Sequence, residues 1–321
     1  MKIVNLESEG HSKKALKSLQ KIGEVELFDS KNFSSAVHAL KSARIVISRL
    51  RFLLGKELLD NAPDLKIVAT PTTGTDHVDE TYLKERGISF LSLKGERKFL
   101  NTIHATAEHT MALIFALLRH IPASCKHVSK QKQWNRDKFR GRELSGKTVG
   151  IIGYGRLGSK VASYTKAFGC RVLTCDIKNI IPEKNIKMVS LEELLSKSDI
   201  VSLHIDYNSL NHHFFSKKHF DFMKPSAIFI NTSRGGCVKS DSLLTALENR
   251  SIRAAALDVM EGEVDNSHLS SPLLNYSEKH DNLLITPHTG GATEESMHKT
   301  EEFMAKKIIR EVSVLRKNNV L

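Results

Sequence analysis

The chain has 321 residues, 40% of them hydrophobic, and a formal net charge of +12. That length admits two domains with sizeable cores. No apolar run approaches the roughly 20 residues needed to span a bilayer, which leaves a soluble, cytoplasmic protein with no membrane partner as the expectation.

Four cysteines, Cys125, Cys170, Cys175 and Cys237, have neither the density of a disulfide scaffold nor the paired spacing of a zinc site. They read as reduced structural thiols, and no metal is expected. Lysines and arginines are scattered along the chain, so the charge reads as a surface that gathers small anions. Nucleic acid is the weaker alternative.

In chain order, MKIVNL, VELFD, RIVISR, LKIVATP and GISFLSL are strand-like runs separated by helical stretches, a pattern that predicts a parallel sheet flanked by helices. The first of them reads as a strand rather than a signal peptide. Residues 104–121, HATAEHTMALIFALLRHI, predict a long apolar helix ended by Pro122, either between domains or at a dimer contact. From Lys147 a second alternating block offers six strands, KTVGIIGYG, RVLTCD, DIVSLHI, AIFINTS, RAAALDV and NLLITPH. Glu294 to Lys317 predict one last helix whose apolar positions need a surface to cover. The resulting fold class is α/β, with two doubly wound parallel-sheet domains. Residues 1–100 and 290–321 are expected to form a discontinuous domain around a nucleotide-binding domain of residues 101–289.

IIGYGRLGSK, residues 151–160, follows the first strand of the second block and opens a helix. In that context Gly153 permits a tight turn, Gly155 lets the backbone approach a pyrophosphate, and Gly158 lets helix and strand pack closely. Tyr154, Arg156 and Leu157 lie in the same turn. Asp176 ends the next strand at the spacing at which a carboxylate accepts hydrogen bonds from an adenosine ribose. It would repel a 2′-phosphate, so NAD is expected over NADP, with Lys178 nearby pulling the other way. A turn that serves packing alone is the bland alternative.

Three further strands end in polar groups. INTSRGGCV carries Thr232 and Arg234, LDVMEGE carries Asp258, Glu261 and Glu263, and LITPHTGGAT carries His288 and Gly290. Each alone has a dull explanation: a surface arginine, loop acids, a capping histidine. Together they fit hydride exchange between a nicotinamide and a 2-hydroxy or 2-oxo acid. Arg234 would grip the substrate carboxylate through its bidentate fork. His288 would exchange the proton, because imidazole ordinarily titrates near neutral pH. Glu263 would favour the protonated ring needed to reduce a ketone, and Asp258 could hold the carboxamide or the adjoining ribose.

Taken as a set, TTGTDHVD, ATAEHT, GRELSGKTVGIIGYGRLG, INTSRGG, AALDV and TPHTGGAT resemble the D-isomer-specific 2-hydroxyacid dehydrogenase family, which includes D-3-phosphoglycerate dehydrogenase, over nearly the full length. The resemblance implies a Rossmann NAD-binding domain inserted into a flavodoxin-like substrate domain, NAD in the cleft, and a catalytic arginine, glutamate and histidine at Arg234, Glu263 and His288. It also implies a homodimer, with the 104–121 helix near its interface. The substrate loop TPTTG, with Thr72, Thr73 and Gly74, would bind the carboxylate through backbone N–H groups.

Two departures stand out. Val264 follows Glu263 where the family usually has proline, which leaves Glu261 as an alternative partner for the histidine. Thr70 occupies the place of an arginine often found in phosphoglycerate enzymes, which lowers the expectation of a phosphorylated substrate; Lys94, Arg97 and Lys98 could supply charge instead or form a solvated loop. A dinucleotide-sensing interaction protein on the same fold, as in the corepressors, is the alternative function.

Overall fold

The computed structural model describes residues 1–29 and 32–321. It contains two compact units, Met1–Ile103 with Ala292–Leu321, and His104–Gly291. Among the described residues no helix is long and apolar enough to cross a membrane.

The first unit holds β1 (Lys2–Asn5), β2 (Glu24–Leu27), β3 (Ile45–Ile47), β4 (Ile67–Ala69) and β5 (Ser89–Leu91), in the order β2-β1-β3-β4-β5. All pairings are parallel, with Ile3 opposite both Val25 and Ile45. Short consecutive apolar runs are what such a sheet requires, because both of its faces are covered. Ile3, Ile45 and Ile67 enter one core with Leu19, whereas their neighbours Val4, Val46 and Val68 enter the other with Leu40 and Leu59. The helix Lys13–Gln20 starts at Ser12, whose side chain accepts the Ala15 N–H. The last helix, Glu294–Lys317, is capped in the same way by Thr293. Its Met304, Ala305, Ile308 and Val312 complete the core on the Ile3 face.

The second unit holds β6 (Thr148–Ile152), β7 (Arg171–Cys175), β8 (Ile186–Met188), β9 (Ile200–Leu203), β10 (Ile228–Asn231), β11 (Ala254–Leu257) and β12 (Leu283–Ile285). They form a parallel sheet in the order β12-β11-β10-β9-β6-β7-β8. The six expected strands are present. The seventh, β8, is a three-residue edge strand with two exposed positions, too short and polar to stand out in the sequence. Both sheets reverse their order of growth, at β1/β3 and at β6/β9, and crevices open beyond the carboxyl ends of the strands at such points.

The apolar helix spans Ala105–Leu118, and Pro122 does not end it. The chain turns at His120, which has φ 53°, and Pro122 lies in the first turn of a new helix, Ile121–Ser129. There its missing N–H costs nothing, because the first N–H groups of a helix have no partner within it.

Candidate active site

The five residues of β6 are all buried and deliver the chain into the glycine turn at the carboxyl edge of the sheet. Gly153 has φ +90°, and a Cβ there would lie 2.5 Å from the His204 carbonyl oxygen. A Cβ on Gly158 would lie 2.0 Å from the Gly153 carbonyl oxygen. Gly155 differs: no atom lies within 4 Å of the place its Cβ would take. It begins the helix Arg156–Ala167 with no side-chain capping bond. An open space before the N–H groups of a twelve-residue helix fits the phosphates of a dinucleotide.

Asp176 anchors this turn. Its Oδ2 accepts the Tyr154 N–H at 2.8 Å and its Oδ1 accepts the Lys178 N–H at 2.8 Å. The Tyr154 side chain turns into the core, where its hydroxyl accepts the Glu183 N–H at 3.3 Å. Leu157 packs against the same core. Burial lowers the Arg156 pKa, and the nearby Asp206 carboxylate opposes that effect.

The loops after β11 and β12 meet through their side chains. His288 Nδ1 lies 2.6 Å from Glu263 Oε2. The other Glu263 oxygen accepts the Met260 N–H, which fixes the carboxylate on its own loop. Glu261 points elsewhere: it pairs with His213 and accepts the Ser240 hydroxyl at 3.0 Å. Burial alone would raise its pKa, but the bonds from His213 and Ser240 hold it below the ordinary carboxylate range. Of the two acids, Glu263 is thus the partner of His288.

His288 has φ 54°, a left-handed conformation that costs an L-residue roughly 1–2 kcal/mol. Asp258 holds it there. The Asp258 carbonyl accepts the His288 N–H at 2.9 Å, and its carboxylate accepts the Thr286 hydroxyl at 2.7 Å and the Thr289 and Gly290 N–H groups at 2.8 Å each. Asp258 is 1% exposed. Burial would raise its pKa, but hydrogen bonds from His109, Thr286 and Gly290 hold it below the ordinary range. Gly290 must be small, since a Cβ would come 2.7 Å from Asp258 Oδ2.

Arg234 follows β10. Its Nη1 donates to the Ser233 carbonyl at 2.9 Å, and its own carbonyl accepts the Asn231 side-chain amide at 3.0 Å. The next residue joins this loop to the acidic one: a Cβ on Gly235 would lie 1.9 Å from the Met260 carbonyl carbon. Thr232 is buried, with its hydroxyl 2.9 Å from that of Thr110.

His109, Thr110 and Thr286 were not among the residues singled out from sequence, yet they buttress the site. His109 Nε2 lies 3.1 Å from Asp258 Oδ1 and 3.0 Å from Thr286 Oγ1. Thr106, His109 and Thr110 form a polar stripe at i, i+3, i+4 on a largely apolar helix, and that spacing was the available signal.

In the first unit, Thr70 is buried and hydrogen-bonds Thr72 Oγ1 at 2.8 Å and His77 Nε2 at 3.2 Å. The Thr72 hydroxyl donates to the Gly74 carbonyl at 2.7 Å, so it stiffens the loop, and Thr73 is exposed. Lys94, Arg97 and Lys98 are exposed. Among the cysteines, burial pushes the Cys170 and Cys175 thiols up to about 11.

Residues 111–290 match the model of the D-isomer specific 2-hydroxyacid dehydrogenase, NAD binding domain. The chain is 31% identical over 298 residues to a D-3-phosphoglycerate dehydrogenase of Methanocaldococcus jannaschii, an alignment covering 92% of this chain and 54% of that one. It is 33% identical over 308 residues to the D-3-phosphoglycerate dehydrogenase of Archaeoglobus fulgidus, covering 95% and 56%. The chain therefore spans about half the length of these two curated relatives. Among solved structures, a D-lactate dehydrogenase from Aquifex aeolicus complexed with NAD and lactic acid superposes with a TM-score of 0.81 at 28% identity, covering 98% of this chain and 96% of that one.

Proposed function

The chain belongs to the D-isomer-specific 2-hydroxyacid dehydrogenase family, and from that premise we propose that it is an NAD-dependent oxidoreductase acting on a small D-2-hydroxy acid or the matching 2-oxo acid. The observation that carries the reading is the His288–Glu263 pair at 2.6 Å, held on a left-handed backbone beyond the carboxyl end of the sheet. Costly conformations maintained by their surroundings concentrate at functional sites.

The bound nicotinamide would supply or accept the hydride. The turn Gly153, Tyr154, Gly155, Arg156, Leu157 and Gly158 would hold its phosphates through the backbone at Gly155, with Gly153 and Gly158 shaping and packing the turn, and Asp176 would meet the adenosine ribose. The acid at that place favours NAD over NADP. Thr232 and Gly290 contribute shape more than hydrogen bonds, because the Thr232 hydroxyl meets Thr110 and Gly290 makes room beside Asp258. Asp258 is the strut of the histidine loop.

Arg234 grips the substrate carboxylate by charge-assisted hydrogen bonds. His288 moves the proton. With Nδ1 turned to the Glu263 carboxylate, Nε2 is the atom that donates to the carbonyl oxygen in reduction and accepts from the hydroxyl in oxidation. Glu263 orients the ring. A role for Thr72, Thr73 and Gly74 in binding the carboxylate rests on the resemblance alone, as does the homodimer.

The test is an NADH-oxidation screen against glyoxylate, hydroxypyruvate, pyruvate, phosphohydroxypyruvate, 2-oxoglutarate and bulkier 2-oxo acids, repeated with NADPH and with Arg234→Ala. Turnover of at least one acid, faster with NADH and abolished in the variant, is the expected result. Cofactor binding without turnover of any acid would overturn the enzymatic reading in favour of a dinucleotide sensor.

A further inference from the structure

We propose that His212, His213 and Glu261 form a binding site for a borderline divalent cation of the Zn2+ class, separate from the His288–Glu263 pair. His212 and His213 follow the short turn Ser209–Asn211 after β9, and Glu261 follows β11. Among the described residues this is the one cluster whose ligand atoms, two imidazole nitrogens and a carboxylate oxygen, all lie within 4.8 Å of one another. Two imidazoles and a carboxylate suit Zn2+, Co2+ or Ni2+ and leave a fourth position for water.

The surroundings orient the three groups. His213 Nε2 is hydrogen-bonded to Glu261 Oε1, while the Ser240 hydroxyl occupies Oε2 at 3.0 Å and so turns Oε1 toward the imidazoles. A partner on the outer oxygen of a carboxylate ligand is the usual support of a metal site. His213 has φ 54°, and its N–H donates to the Gly236 carbonyl at 2.8 Å. The His212 ring stacks on that of His213 at 3.7 Å, and the Tyr207 hydroxyl, 3.1 Å from His212 Nδ1, fixes it. Ligand atoms about 2.1 Å from a tetrahedral ion lie about 3.4 Å apart, within the 4.8 Å over which these three ligand atoms spread. Binding would replace the His213–Glu261 hydrogen bond with two metal–ligand bonds and would clamp the segment after β9 to the loop after β11. Nothing in this depends on the nicotinamide reading.

The experiment uses full-length protein stripped with EDTA and titrated with Zn2+ by calorimetry, and with Co2+ by visible d–d absorption. One Zn2+ per chain and a four-coordinate Co2+ spectrum are expected, with affinity lowered at least about tenfold in each of His212→Ala, His213→Ala and Glu261→Gln. His280→Ala, at an exposed histidine stacked on Tyr276, should bind as the wild type does. Exposed His212 gives a variant with little risk to folding. The proposal is overturned if no stoichiometric binding occurs, or if binding survives in all three variants, as it would if thiols such as exposed Cys125 held the metal.

Discussion

Gly155 and Gly158 are two of three glycines in one turn, yet their neighbourhoods make opposite predictions. A methyl on Gly158 would collide with the Gly153 carbonyl, whereas a methyl on Gly155 would meet nothing within 4 Å of the protein itself. Gly155→Ala is therefore expected to change stability by less than about 1 kcal/mol while weakening NADH binding at least about tenfold, the equivalent of 1.4 kcal/mol. Thermal melts beside a fluorescence titration check this, and unchanged affinity would show that the space is not a phosphate cradle. The positions of these glycines and of Asp176 were legible because a turn and a strand end constrain backbone and spacing. Side-chain direction was not. Nothing in the sequence indicates that the Tyr154 hydroxyl turns into the core, that Asp258 carries the histidine loop, or that Glu263 rather than Glu261 reaches His288.

At the level of elements, the loop after β10 and the loop after β11 touch backbone to backbone at Gly235 and Met260. That contact links the segment bearing Arg234 to the one bearing Glu263. Gly235→Ala must push the loops apart, at a cost of about 1–3 kcal/mol, and is expected to lower both melting temperature and turnover. Wild-type activity in that variant would mean that the loops need not be in register. Strands were readable wherever burial on both faces demands a continuous apolar run, as in TVGII and AIFIN. The edge strand β8 escaped because an edge needs little hydrophobicity. Pro122 starts a helix instead of ending one, because a missing N–H suits a first turn as well as it breaks an interior one. The polar stripe of Thr106, His109 and Thr110 lay within plain helical spacing but was hidden by the apolar residues around it.

Over the whole chain, beginning and end build one unit while the middle builds the other, and a buried ionic cluster fastens the ends together. Glu301 of the last helix pairs with Arg49 and accepts the Ser12 N–H at 2.6 Å, with His11 Nδ1 3.3 Å away. Burial, followed by the charges of Arg49 and His298, lowers the His11 pKa from 6.5 to about 4. A folded-state pKa below the unfolded value gives stability that is present above pH 6.5 and lost as pH falls toward 4. Acidification to pH 5 is thus expected to remove about 2 kcal/mol through His11, an effect that His11→Gln should abolish in denaturant melts. An identical pH dependence in that variant would place the sensitivity elsewhere. The doubly wound character of both sheets followed from alternating apolar and helical stretches, while the cluster at the chain ends joins residues some 290 positions apart and left no local trace. The measurement that bears most directly on the account is steady-state 2-oxo acid reduction by His288→Asn, beside NADH binding by the same protein, since asparagine tolerates the left-handed backbone. NADH affinity within about threefold of wild type and kcat/KM lower by about 10²–10⁴ are expected if His288 carries the proton. Unchanged kcat/KM, or a loss that matches lost NADH binding, would contradict that role.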